Sequence, residues 1–72
     1  MEFDFSKLLG RIVEKFGTRS AFATAMDLAD SALSNRINNK VPFDTAEIYT
    51  ACELLDIEPQ DIPAYFFAVK VR

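Results

Sequence analysis

The stretch TRSAFATAMDLADSALSNRI, residues 18–37, decides how the chain folds. Thr18 reads as an N-cap, and Phe22, Ala23 and Met26 follow it at helical spacing. The segment Asp27-Leu28-Ala29 interrupts that pattern. A second amphipathic segment runs over residues 30–38, with Leu33 and Ile37 one turn apart and facing inward. Short helix, short break, short helix is the spacing of a helix-turn-helix unit. In such a unit the second helix fits the DNA major groove and the first lies across it near the phosphates. Ala23 is small where the two helices must cross closely, and Leu28 points inward from the turn. Ser31, Ser34 and Asn35 fall on the outward side of the second helix, within reach of base edges or phosphates. Arg19, Arg36, Asn38 and Lys40 surround that surface with phosphate-binding groups.

Working outward, Leu8, Leu9, Ile12, Val13 and Phe16 make one apolar stripe and predict a helix over 6–16. Gly17 supplies its stop, and Gly10 either weakens it or lets another backbone come close. On another face Lys7, Arg11 and Lys15 follow at four-residue steps, a solvated stripe or a contact for phosphate or an acidic partner. Asn38-Asn39 suits a helix end, because Asn tolerates the left-handed conformation. Asp44 with Glu47 has the spacing of a capping box, and Ile48, Ala51, Cys52 and Leu55 face inward behind it. A fifth, short helix is expected over 59–66, with Pro63 tolerated in its first turn. Both ends alternate: Phe3 and Phe5 flank Asp4, and residues 69–72 alternate apolar with basic. A small terminal strand pair, within or between chains, fits that pattern. The expected architecture is all-α, a compact five-helix helix-turn-helix domain over residues 1–72 with short terminal strands.

The composition narrows the function. A chain of 72 residues fits one small domain, whose core alone supports only a few kcal/mol. With no His and a single Cys, neither a zinc site nor a disulfide framework can be built. The same lack removes the usual general bases and nucleophile pairs, so an enzyme and a cofactor are not expected. Cys52, on the inward stripe, reads as a core residue. Glu53, Asp56, Glu58 and Asp61 lack the order of an EF-hand and read as a solvated acidic face. No apolar stretch reaches membrane-spanning length and no signal peptide is visible, which places the chain in the cytoplasm. The net charge of −3 argues against general DNA binding. Split at residue 40, it divides into five acids and six bases before and six acids and two bases after. The helix-turn-helix half is therefore nearly neutral, and the acidity belongs to the helices behind it.

The segments DFSKLLGRIVEKFGTRSAFATAM, ALSNRINNKVPFDTAEIYTACELLDI and AYFFAVKV carry a resemblance to a known family. The chain resembles the small phage repressor and Cro-like (lambda-repressor-like) helix-turn-helix proteins, most of all the short regulators of temperate phages of Gram-positive bacteria. In length and acidity it is similar to the anti-repressors, or modulators of repression, of lactococcal temperate phages. That resemblance implies a regulator of phage transcription, active in a bacterial host. It also implies DNA contacts at the positions of Arg19, Asp30, Ser31, Ser34, Asn38 and Lys40. Three residues depart from the family pattern. Asp27 stands where Gly is preferred in the turn, Ala29 where a Ser or Thr cap is usual, and Asp30 where Gln is common at the tip of the recognition helix. A carboxylate at Asp30 can accept from a cytosine amino group, and it can cap the helix and complement its dipole. Asp27 and Asp30 together repel phosphates at the corner nearest DNA.

The chain is also rich in apolar side chains, with seven Phe and two Tyr. Phe16, Phe22, Ile48, Leu55 and Phe66 fill one core. Phe3, Phe5, Val41, Phe43, Tyr49, Tyr65, Phe67, Val69 and Val71 are then more than the inside of so small a domain holds. Either the two ends fold back over them or they form an apolar face for a protein partner, with Phe43, Tyr65, Phe67, Val69 and Val71 at its centre. Two functions fit these features. One is an anti-repressor that binds the DNA-binding domain of a phage repressor and controls a lysis–lysogeny switch. The other is a Cro-like repressor that binds operator DNA as a homodimer, with its second motif helix in the major groove and its tail pairing across the dimer.

Overall fold

Thr18 and Asp44 start their helices as the sequence predicts. The Thr18 hydroxyl accepts from the Ala21 amide at 3.1 Å. Asp44 accepts from the Glu47 amide at 2.7 Å, and the Glu47 carboxylate accepts from the Asp44 amide at 3.0 Å, closing a reciprocal capping box. The computed structural model describes residues 1–71, so Arg72, the last residue of the alternating tail, lies outside it. Among the described residues five α-helices follow one another: α1 (Ser6–Phe16), α2 (Arg19–Ala25), α3 (Asp30–Ile37), α4 (Thr45–Leu55) and α5 (Ile62–Phe66). A single 3₁₀ turn, Pro59–Asp61, leads into α5, where Pro63 sits in the first turn and no hydrogen bond is lost. No described helix is long and apolar enough to cross a membrane.

The helix ends have a common geometry. Gly17, Asp27, Asn39 and Asp56 hold φ of 82°, 59°, 63° and 54° and close α1 to α4 in that order. After α2, the Leu28 amide donates to the Ala23 carbonyl at 2.8 Å and the Asp27 amide to Thr24 at 3.0 Å. After α3, the Lys40 amide donates to Asn35 at 2.8 Å and the Asn39 amide to Arg36 at 3.1 Å. Both are Schellman closures, and Leu28 supplies the apolar contact that accompanies the motif. The preference for Gly at the position of Asp27 thus has a backbone cause: the residue there is left-handed.

The core is drawn from every helix. Phe22, Phe66, Leu8, Ile12, Leu33 and Leu55 are its largest fully buried side chains. Phe5, Ala23, Ile48, Ala51, Cys52 and Ile57 join them, and Phe16 packs against its edge. Burial pushes the Cys52 thiol up, which keeps it protonated and inert. On α1 the expectation for Val13 needs correction, and the two alternatives for Gly10 are decided. Val13 is 57% exposed, because Phe5, Leu8 and Ile12 centre the buried arc and Val13 lies about 100° round the helix from its middle. Gly10 is exposed with nothing within 4 Å of the place a Cβ would take, so it serves no close approach.

The two ends of the chain meet. Phe3 forms one antiparallel bridge to Val69. The Asp4 amide donates to the Ala68 carbonyl at 2.6 Å and the Lys70 amide to Glu2 at 3.0 Å. The expected strand pair is reduced to this bridge, and it closes within one chain.

Two opposite substitutions test the backbone reading by urea unfolding. Gly10→Ala, in open space mid-helix, raises stability by about 0.5–1 kcal/mol. Asp27→Gly, at a left-handed position, raises it by about 1 kcal/mol.

Candidate functional site

Two surfaces collect the residues that the sequence singles out. The first is the outer side of α2 and α3. Arg19, Asp30, Ser31, Asn35, Asn38 and Lys40 are exposed on it. Ser34 is half-buried, its hydroxyl accepting from Asn38 Nδ2 at 3.2 Å. Asp30 does not cap α3: the N-cap is Ala29, which has no side-chain oxygen to offer. The Asp30 carboxylate instead complements the dipole from the first turn and accepts from the Ser20 hydroxyl at 3.1 Å, tying α2 to α3. Arg19, Ser20, Asp30, Leu33 and Ser34 line a shallow cleft there.

Arg36 does not stand on this surface. Its Nε and Nη2 donate to the two carboxylate oxygens of Glu47 at 2.9 and 2.8 Å, and its Nη1 donates to the Ala32 carbonyl at 2.8 Å. The two side chains are 16% and 15% exposed, so this is a nearly buried, bidentate pair between α3 and the first turn of α4. Arg36 holds the Glu47 carboxyl below its ordinary range, and Glu47 raises the guanidinium in turn. A guanidinium whose Nε, Nη1 and Nη2 are all engaged inside the fold is not presented to a phosphate.

The basic stripe of α1 is also engaged, in more exposed contacts. Lys15 Nζ lies 2.8 Å from Asp56, which lowers the Asp56 carboxyl. Arg11 pairs with Glu14 at 2.9 Å. Lys7 and Arg11 stand over the ring of Tyr65, at 4.8 and 5.8 Å from its centre. On the α2–α3 side Arg19 and Lys40 make no ion pair among the described residues. They share it with the exposed carboxylates of Asp27 and Asp30.

The second surface is apolar and lies at the chain ends. Tyr65 is not part of it: at 8% exposure its ring is in the core, capped by the α1 cations. Phe43 is half-buried, edge-on to Phe5 and Phe66 at 5.5 and 5.3 Å. Phe67 and Val69 remain 47% and 52% exposed, and Val71, Met1 and Val41 are exposed as well. A pocket of about 190 Å³ opens here, walled by Phe3, Val41, Phe43, Phe67 and Ile48, with Arg36 and Asn39 at its edge. Of the surplus side chains, Phe5 and Tyr65 are therefore inside, Phe3 and Phe43 are half inside, and Phe67, Val69 and Val71 are outside.

Sequence reasoning missed Asn39 as more than a helix stop. Its amide makes two bonds to one edge of the Phe3 backbone: the Phe3 N–H donates to Asn39 Oδ1 at 2.9 Å and Asn39 Nδ2 donates to the Phe3 carbonyl at 3.0 Å. Nothing local in the sequence announces a bond to a residue so far away in the chain. Among the described residues, no three His, Cys, Asp or Glu side chains are placed to share a metal ion.

The Arg36–Glu47 pair makes a stability prediction with a sign. Arg36→Ala and Glu47→Ala each lower unfolding stability by about 2–3 kcal/mol, and the double variant loses less than the sum. Because the folded carboxyl of Glu47 is lowered, its contribution is complete above the ordinary carboxylate range and is lost as pH falls through the lowered value. Denaturant midpoints across a pH series should show a smaller acid loss in Glu47→Gln than in the parent.

Comparison with known proteins places this arrangement. Residues 1–69 match the family model described as "Protein of unknown function (DUF739)". No curated protein matches the chain. Among solved structures, the solution structure of the modulator of repression (MOR) of the temperate bacteriophage TP901-1 from Lactococcus lactis is similar throughout. It is 47% identical, the match covers 100% of this chain and 97% of that one, and the TM-score is 0.84. The chain belongs to the DUF739 family, and over its whole length it is similar in sequence and fold to a modulator of repression from a lactococcal temperate phage.

Proposed function

We propose that the chain is a phage-type transcriptional regulator, a modulator of repression, that binds the DNA-binding domain of a phage repressor. The observation that carries this reading is the 47% identity over the whole chain to a phage modulator of repression. The charge distribution supports action through protein rather than through DNA alone. A domain that grips DNA needs several solvated cations, because each neutralised phosphate releases counterions. On the α2–α3 surface only Arg19 and Lys40 are left for that among the described residues, and Asp27 and Asp30 oppose them. Two cations per chain supply weak binding with a shallow salt dependence. A mixed-charge surface and an apolar face fit a protein partner better, with the charges setting specificity and approach and the apolar side chains supplying the driving force. The acidic second half suits a partner whose own surface is basic, as a DNA-reading surface is.

The second reading, a Cro-like repressor dimer on operator DNA, is favoured by the exposed hydrogen-bonding groups Ser31, Asn35 and Asn38 on and just after α3. A heteromer in which both proteins touch DNA joins the two readings.

Fluorescence anisotropy with operator DNA at near-physiological salt, with and without the cognate repressor, separates them. The modulator reading expects no measurable DNA affinity alone and a stable complex with the repressor domain by calorimetry. Tight DNA binding by the chain alone, with a steep salt slope that flattens in Lys40→Ala and Arg19→Ala, would sink it. On the partner face, Phe67→Asp and Val69→Asp should weaken the repressor complex at least tenfold while the helical circular dichroism signal stays unchanged. Unchanged affinity removes that face from the interface.

A further inference from the structure

We propose that Asn39 is the positioning residue of the apolar face: its side-chain amide takes the place of a third strand and holds the two chain ends in their docked arrangement. The backbone of residues 2–4 is bonded on both sides. On one side Glu2 and Asp4 exchange hydrogen bonds with Lys70 and Ala68 of the tail. Phe3, between them, turns its own N–H and carbonyl the other way, as alternate residues of a strand must. A lone strand pair would leave that outer edge open. Here Asn39 closes it, accepting from the Phe3 amide at 2.9 Å and donating to the Phe3 carbonyl at 3.0 Å. One residue thus gives the donor and the acceptor that a neighbouring strand would give.

The residue type is specified twice at this position. The backbone is left-handed at φ 63°, which Gly and Asn adopt most readily. The amide must also both donate and accept, which Gly cannot do and Asp can do only in part. Asn alone meets both demands. What it holds is the wall of the pocket: the Phe3 ring lies edge-on to Phe67 at 5.6 Å and to Phe5 at 6.3 Å, and Phe3 bridges Val69. An isolated two-stranded pair is marginal in water. With the amide in place the exposed Phe67 and Val69 form a preorganised surface, whose ordering need not be completed on binding. The end of α3 and the apolar face are thereby one mechanical unit, although they are distant in sequence. The proposal rests on the reading that this face receives the repressor domain.

The test uses Asn39→Gly and Asn39→Asp in the full chain. Gly keeps the left-handed turn, so the global urea midpoint stays close to that of the parent and the fold is not in question. Hydrogen exchange by NMR is read at Asp4 and Lys70, whose amides bond across the chain ends, and at Met26 and Ile48, whose amides bond along the turns of α2 and α4. We expect protection to fall at least tenfold at Asp4 and Lys70 in both variants and to stay unchanged at Met26 and Ile48. Affinity for the isolated DNA-binding domain of the cognate repressor should fall about tenfold in parallel. Unchanged protection at Asp4 and Lys70 overturns the clamp. Lost protection with unchanged repressor affinity overturns its role in positioning the partner face. A parent chain that does not bind the repressor domain at all sinks the functional reading instead, and the exchange arm then still decides for or against the clamp.

Discussion

Every one of the first four helices ends on a left-handed residue, and three of those four are not glycine. The rest of the structure depends on this. A chain of 72 residues that packs five helices has no room for long loops, so each helix must reverse within a few residues. The left-handed position makes the reversal and lets the next amides satisfy the last carbonyls of the helix. It also sets the direction of the next segment. Leu28 packs inward after Asp27, Ile57 is buried after Asp56, and the Asn39 side chain reaches back to the N-terminus. Asp and Asn are the side-chain-bearing residues that enter this conformation at least cost, which explains why acids stand at two of the turns. The carboxylate of Asp27 at the α2–α3 corner is thus a consequence of backbone geometry as much as of recognition.

The ion pair of Arg36 and Glu47 joins the second constraint to the first. Once the turn after α3 brings α4 alongside, a guanidinium and a carboxylate meet in a nearly closed space. Their bidentate bonding, the Ala32 carbonyl and the Asp44 amide leave few polar atoms in that space unpaired. The consequence is for the charge that remains outside. A cation that a DNA reader would present to phosphate becomes an internal brace, and Lys15 is likewise held by Asp56. The acidity of the second half is therefore partly structural: two of its carboxylates neutralise cations of the first half. The five-helix architecture is unaffected, but less positive charge is left on its surface.

The helices are legible in the sequence because their signals are local. Thr18, the Asp44–Glu47 box, Gly17 and Pro59 each act over one turn of chain, and the helix boundaries follow them closely. The core positions of α2, α3 and α4 follow from periodicity alone. Val13 departs from its expected place because a five-residue apolar arc is wider than the face a small core can cover. Arg36 and Tyr65 depart for another reason: their environments are made by residues far along the chain. No spacing rule shows that Glu47 will face Arg36, or that α1 cations will lie over the Tyr65 ring. The same holds for Asn39 and Phe3. Long-range polar pairings are set by the assembled fold, and they decide here which of the candidate site residues face outward.

The bridge between Phe3 and Val69 has a kinetic meaning of its own. It joins residues separated by nearly the entire chain, whereas most helix contacts here are between near neighbours in sequence. Closing so long a loop carries an entropy loss that is shared with the packing of α5 on α1, and few residues gain from the bridge directly. The local helix contacts carry no such cost, so an order in which the helices form before the ends join is the one that topology favours. A seam held by so few bonds is of the kind that opens below the free energy of global unfolding. Because Phe67 and Val69 are exposed while the ends are docked, another protein meets the closed seam, and the seam sets how well ordered that face is when it is met.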